Sequence, residues 1–203
     1  MLHLSTVRPN QDQLDDLLLR VLPEQGQWSD EDYLWLTDHT NQFIEVTDGY
    51  LEVLPVPTDH HQTLLLFLYG VILEWVRVAG GKVLLAPLRL RIRERKFREP
   101  DLLMLMDAHD PRRSNRYWTG ADLVLEVVSP DKPARDTVDK LEDYAEAGIP
   151  EYWIIEPQAE TIRVFVLEGA SYRELGCYGR GAEARSARLE GLIVEVTPLF
   201  DAK

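Results

Sequence analysis

The chain lacks most of what would tie it to a disulfide framework, a thiolate metal site or a membrane. Its single cysteine, Cys177, excludes an internal disulfide and a cysteine-rich zinc site. None of its five histidines forms an H-x-x-x-H pair, so a zinc hydrolase site is poorly supported. Long apolar runs are missing too: the longest, Leu64 to Leu73, contains Tyr69 and Gly70 and is too short to span a bilayer. The N-terminus has no basic start followed by an apolar stretch and a cleavage site. No signal peptide is therefore expected, and the cytoplasm is the expected compartment. Positive charge is scarce. Against 35 Asp and Glu there are 22 Lys and Arg, giving a formal net charge of −13. That disfavours broad, non-specific binding to nucleic acid, which rests on phosphate neutralisation, but a focused local field can act against the sum.

What is present concentrates between Glu99 and Glu156. The stretch reads E-P-D-L-L-M-L-M, then a polar loop, then A-D-L-V-L-E-V-V-S-P, then R-D-T-V-D-K-L-E-D-Y-A-E-A-G-I-P-E-Y-W-I-I-E. The two apolar runs have the character of buried strands. Asp101 opens the first, and Glu126 sits late in the second among Leu125, Val127 and Val128. A charge left amid apolar surface is costly unless it is paired. Two carboxylates on neighbouring strands with a lysine nearby suit a hard divalent cation, because magnesium takes oxygen ligands and keeps several waters. Strand periodicity puts Asp122, Val124, Glu126 and Val128 on one face. Pro130 and Pro133 break the chain. Asp136 then opens a helix whose residues Asp136, Lys140 and Tyr144 share one stripe, with Leu141, Ala145 and Gly148 on an adjacent stripe suited to a sheet. Gly148 and Pro150 end the helix, and Tyr152–Ile155 resumes as a strand, giving a strand–helix–strand crossover.

These blocks resemble the Uma-type restriction endonuclease family of the PD-(D/E)xK nuclease superfamily. The residues that carry the resemblance are Asp101, Glu126 and Lys140 with E-V-V-S-P, R-D-x-x-x-K-x-x-x-Y, A-G-I-P-E-Y-W-I-I and the upstream D-G-Y-L-E-V, over roughly residues 28 to 200. The superfamily places its lysine two residues after the second acid, where this chain has Val128. Lys140, on the following helix, matches the displaced lysine of the Uma-type pattern. The resemblance implies catalytic Asp101, Glu126 and Lys140, with Mg²⁺ (or Mn²⁺ in its place) held by Asp101, Glu126 and the Val127 carbonyl. It also matches Glu45 to a family acid before the turn and His61 to a family histidine at the head of the long helix, both as supporting residues alongside Asp136.

Each residue also has a plainer reading. Asp101 and Glu126 could be a strand-end acid and a buried acid satisfied by arginine. Lys140 could make a solvated pair with Asp136, and Glu45 could be an exposed strand acid. Arg89, Arg91 and Arg93 alternate along one strand face and are a candidate phosphate-facing track; the bland reading is an outer face paired with acids. Arg112, Arg113 and Arg116, interleaved with Tyr117 and Trp118 in the loop from Ala108 to Gly120, offer a second contact surface, with Trp118 expected in the core.

Along the rest of the chain, residues 1–27 are expected to be peripheral, with a helix over Gln13–Val21, and residues 28–203 to form one domain. Ser29 and Asp32 form a capping-box pattern for a short helix. Asp48-Gly49 turns a hairpin, and Thr58-Asp59 opens a long helix that Gly80-Gly81 stops. Strands are expected at Lys82–Ala86 and Leu88–Ile92, and an antiparallel set at Thr161–Leu167, Ser171–Tyr178, Arg185–Leu189 and Leu192–Val196. The fold expected is α/β: a restriction-endonuclease-like core, a mixed central sheet flanked by helices, with extra antiparallel strands on the N- and C-terminal sides. The expected function is metal-dependent hydrolysis of phosphodiester bonds in nucleic acid, DNA before RNA. Cutting both strands of a duplex would favour a homodimer. A non-catalytic protein that keeps the nuclease fold for binding or assembly is the alternative, motivated by the acidic charge and the displaced lysine. A phosphodiesterase acting on a small nucleotide is a third reading.

Overall fold

The computed structural model describes residues 22–129 and 135–203, and says nothing of the side chains of Arg135 and Asp136. The expected helix over Gln13–Val21 lies outside the described residues. The chain enters through α1 (Asp30–Asp38), capped by Ser29, whose hydroxyl accepts from the Asp32 amide while the Asp32 carboxylate accepts from the Ser29 amide. The hairpin follows: β1 (Ile44–Thr47) and β2 (Tyr50–Val53). Its turn residues Asp48 and Gly49 have φ of 52° and 81°, the left-handed pair that a two-residue hairpin needs. Helix α2 (Asp59–Ala79) starts at the Thr58 cap and ends where Gly80 turns left-handed at φ 80°. At 21 residues it is long and apolar enough to cross a membrane by length and composition, yet Leu64, Leu65, Leu68, Ile72 and Val76 are buried against the sheet.

Two sheets follow from the remaining strands, β3 (Lys82–Leu85), β4 (Arg89–Arg93), β5 (Lys96–Arg98), β6 (Leu102–Leu105), β7 (Tyr117–Trp118), β8 (Leu123–Val127), β9 (Glu151–Glu156), β10 (Thr161–Glu168) and β11 (Ser171–Tyr178). The larger has the order β11-β10-β9-β8-β6-β3 and is mixed, because β8 and β9 run parallel while its other pairs are antiparallel. The smaller has the order β2-β1-β5-β4-β7. Alternation decides the layers. Leu102, Met104, Leu123, Leu125, Val127, Trp153 and Ile155 pack with α2 on one face; Leu103, Leu105, Val124, Tyr152 and Ile154 pack on the other with Tyr144 and Leu90. The parallel β8–β9 pair forces a crossover, and the crossover carries a π-turn (Arg135–Asp139) leading into α3 (Lys140–Glu146). Helix α3 therefore lies on the face opposite α2. A C-terminal hairpin, β12 (Glu183–Arg185) with β13 (Ile193–Glu195), leads into the short α4 (Val196–Phe200).

Four details differ from expectation. Strand β5 was not expected because Lys96-Phe97-Arg98 reads as part of a charged run; all three residues are buried, since each cation has an acid to meet. The buried face of α3 is Lys140, Asp143 and Tyr144 rather than the stripe through Gly148, which is exposed with φ 69°. At the C-terminus, strand β12 precedes the expected Arg185–Leu189, and the chain becomes helical at Val196. Residues 25–26 are stitched to the hairpin: the Gly26 amide donates to Gly49 O at 2.7 Å, and the Leu51 amide donates to Gln25 Oε1 at 2.7 Å.

Candidate active site

Strands β6 and β8 pair with Leu102 opposite Leu125, so one step further Asp101 stands opposite Glu126 at the open end of the sheet. The contact is direct. The Asp101 amide donates towards Glu126 Oε2 at 3.4 Å, and the Val127 amide donates to Asp101 Oδ2 at 2.8 Å. On the other side of Asp101 lies the first turn of α2, from which His61 Nε2 reaches Asp101 Oδ2 at 3.0 Å. The Thr58 hydroxyl accepts from the His61 amide and fixes that turn. Asp101 thus lies beside the first turn of α2, the end of a helix that favours negative charge.

Glu126 is buried, only 2% exposed, and its charge is met from α3. Lys140 Nζ lies 2.7 Å from Glu126 Oε1, and the Tyr144 hydroxyl donates to the same oxygen. Lys140 and Tyr144 are one helical turn apart, so both side chains project from the buried stripe onto a single carboxylate. Burial first, and the Glu126 charge second, hold the Tyr144 phenol well above its ordinary range, so it remains a donor.

A second set of buried charges ties α3 to the smaller sheet. Glu45 Oε1 accepts the Glu99 amide at 3.1 Å and lies 3.9 Å from Lys140 Nζ, while Glu45 Oε2 is 3.5 Å from Arg98. Arg98 pairs with Asp143 at 2.6 Å, and Lys96 meets both Asp143 and Glu146. Burial works against the Arg98 charge, but Glu45 and Asp143 outweigh it and raise its pKa. Truncating one member of such a buried network leaves the others uncompensated, which is why these pairs set the position of α3 and its lysine. Glu99 is the exception among the acids: it is 4% exposed, and its Oε2 has no hydrogen-bond partner. Burial, reinforced by the neighbouring Glu45 carboxylate, pushes the Glu99 carboxyl up to about 8.

Asp101, Glu126, Lys140, Glu45 and His61 thus converge, and Val127 contributes its amide to Asp101. The Asp136 side chain lies outside the described residues. The arginines lie elsewhere, and all but Arg113 are engaged with acids. Arg89 and Arg116 share Asp38 at 2.8 Å each, and Arg91 meets Asp30 at 2.8 Å. Arg93 bridges Asp48 and Glu146 at 2.7 and 2.8 Å. Arg112 is clamped by Asp110 and Asp122 at 2.7 and 2.8 Å, and Arg113 lies 5.7 Å from the Trp118 ring centre. The loop from Ala108 to Gly120 therefore does structural work: it delivers buried Trp118 and strand β7 to the edge of β4. Sequence reasoning assigned no role to Tyr144, Asp143, Arg98, Lys96 or Glu99. Tyr144 was within reach, four residues after Lys140 on the same stripe; the partners on β5 depend on the fold of two sheets against one helix.

The fit of a metal ion can be judged from the donors. Asp101 and Glu126 offer two carboxylates across one strand pair. Among the described residues no group of three or more His, Cys, Asp and Glu is arranged to hold a metal. Two hard oxygen donors without a full protein cage match magnesium, which keeps several waters and uses one or two carboxylates, and do not match a closed zinc site.

A mixed sheet with an acid at the head of one strand, an acid late in its antiparallel neighbour and a lysine from the crossover helix defines an α/β protein of the restriction-endonuclease-like kind. A solved structure from Anabaena variabilis, described as "a putative nuclease", superposes with a TM-score of 0.65 over 93% of this chain and 97% of that one, at 19% identity. No curated protein matches. The Uma2 family model, described as "Putative restriction endonuclease", matches residues 30–197. The chain belongs to the Uma2 family.

Proposed function

We propose that this protein is a metal-dependent endonuclease that hydrolyses phosphodiester bonds in DNA. The observation that carries the reading is the convergence of Asp101, Glu126 and Lys140 at the open end of β6 and β8, with both acids facing one cleft. Asp101 and Glu126, with the Val127 carbonyl, would hold Mg²⁺ or Mn²⁺. The ion, when bound, would polarise a phosphoryl oxygen and lower the pKa of a coordinated water. The chain's own groups do the rest. Lys140, paired with Glu126 at 2.7 Å, supplies a fixed positive charge next to the reacting phosphate, where preorganised charge is most effective. Tyr144 restricts the Glu126 carboxylate to one orientation. His61 holds Asp101 from the opposite side and, through the α2 N-terminus, adds positive potential to the place an anion would occupy.

The test is cleavage of plasmid and oligonucleotide DNA in Mg²⁺ by the wild type and by Asp101→Asn. Cleavage by the wild type and its loss in a folded variant is the expected result. Equal activity in both proteins would point to a contaminant or another site. Inactivity of the wild type across DNA and RNA, with DNA binding retained, would favour the non-catalytic reading.

A further inference from the structure

Lys140 stands between two acids. Its Nζ lies 2.7 Å from Glu126 Oε1 and 3.9 Å from Glu45 Oε1. Glu45, Glu126 and Lys140 are 1%, 2% and 3% exposed, so water screens neither attraction. An ammonium on a flexible stem moves to whichever carboxylate carries the less compensated charge. The difference matters for chemistry. Glu126 stands beside Asp101 at the open end of the larger sheet, whereas Glu45 belongs to β1 of the smaller one.

The residue that weights the choice is on β5. Arg98 lies 3.5 Å from Glu45 Oε2, and the Glu99 amide donates to Glu45 Oε1 at 3.1 Å. The same guanidinium donates through Nε to Asp143 Oδ2 at 2.7 Å. Asp143 lies three residues after Lys140 on the buried face of α3. A rigid fork of donors holds two acids in fixed directions, which a single ammonium does not. Arg98 therefore compensates the acid that competes for Lys140 and also anchors the turn from which Lys140 projects. Asp143 has a further cation in Lys96. Glu45 is thus the acid that loses most when Arg98 is removed, and Lys140 is the cation beside it.

We infer that Arg98 is a positioning residue for Lys140: by holding the charge of Glu45, it leaves Lys140 on Glu126, where the reacting phosphate would lie. The consequence for cleavage rests on the nuclease reading; the placement of Lys140 does not. Without Arg98, Nζ is drawn towards Glu45 by about 1 Å, a misplacement of the order that costs about a hundredfold in rate.

The experiment has two arms. The chain contains five lysines, so a sample carrying ¹³C at lysine Cε gives a sparse spectrum in which Lys140 is identified by its loss in Lys140→Arg. In the first arm this signal is followed in EDTA in the wild type, Arg98→Gln, Glu45→Gln and the double variant. Arg98→Gln should displace it in the wild-type background and leave it in place in the Glu45→Gln background. Displacement in both backgrounds, or in neither, overturns the inference. If Arg98→Gln alone does not fold, the double variant decides. Its Lys140 signal should coincide with that of Glu45→Gln; a displaced signal, or a double variant that also fails to fold, overturns the inference, because Arg98 then acts through something other than Glu45. In the second arm, DNA cleavage in Mn²⁺ and calorimetric Mn²⁺ binding are measured on the same proteins. Arg98→Gln should lower kcat about a hundredfold with KM unchanged. It should bind Mn²⁺ at least as tightly as the wild type, since the cation that competes for Glu126 has withdrawn. Loss of metal binding in step with cleavage would mark a merely structural role and overturn the inference, as would unchanged kcat. If the wild type cuts no DNA, the nuclease reading fails, and the placement of Lys140 is judged on the first arm alone.

Discussion

Replacing Glu99 by glutamine should flatten the dependence of stability on pH. Glu99 is 4% exposed with an unpartnered oxygen, and burial next to Glu45 raises its carboxyl from an ordinary 4.5 to about 8. The folded protein then binds a proton that the unfolded chain has released, throughout the window between those two values. Because the native state holds more protons there, stability falls as pH rises. Each pH unit well inside the window costs about 1.4 kcal/mol. Allowing for partial ionisation near the upper end, the wild type should lose about 2 kcal/mol between pH 6 and pH 8 through this group alone. Glutamine keeps the shape and cannot ionise, so its contribution does not change over that interval. Urea unfolding at both pH values, in EDTA, gives the difference directly. A pH slope in Glu99→Gln equal to that of the wild type would refute the reasoning, because Glu99 would then be ionised in the folded protein.

Three further outcomes follow from the same geometry. Arg98→Met leaves Asp143 and Glu45 buried without their shared cation, and should destabilise the fold by about 3–5 kcal/mol in chemical denaturation. Tyr144→Phe removes a hydrogen bond to an ionised carboxylate, which should cost about 1.5–3 kcal/mol in the same assay and loosen Glu126 enough to weaken divalent-metal affinity by calorimetry. Gly49→Ala places a methyl at φ 81° with the Gly26 carbonyl oxygen 2.9 Å away; thermal unfolding should show a loss of at least about 1–3 kcal/mol.

The local signals were the legible ones. The Ser29 box, the Asp48-Gly49 turn and the Thr58 and Gly80 ends of α2 are all written in neighbouring residues, and each formed where its chemistry directs. The acids of the site were legible because two continuous apolar runs, bounded by Pro100 and Pro130, put Asp101 and Glu126 where a charge needs a reason. Strand β5 was not, because the charged run from Arg93 to Arg98 reads as solvated until the acids that neutralise it, Asp143 and Glu146, arrive from a helix 45 or more residues away. The arginines show the same limit in reverse. Alternation correctly put Arg89 and Arg91 on one face, but only the packing of α1 on the smaller sheet reveals that Asp38 and Asp30 meet them. Long-range pairing of charges has no local period, so sequence pattern alone is silent on it.

Asp101 and Glu126 are proposed to form one divalent-metal site that cuts DNA. Calorimetric titration of Mn²⁺ into the wild type and into Glu126→Gln, with DNA cleavage followed in the same buffers, decides the matter. One saturable site is expected in the wild type, with binding and cleavage both lost in a variant that stays folded by circular dichroism. Cleavage that persists in Glu126→Gln, or a wild type that binds no divalent ion at millimolar concentration, would contradict it.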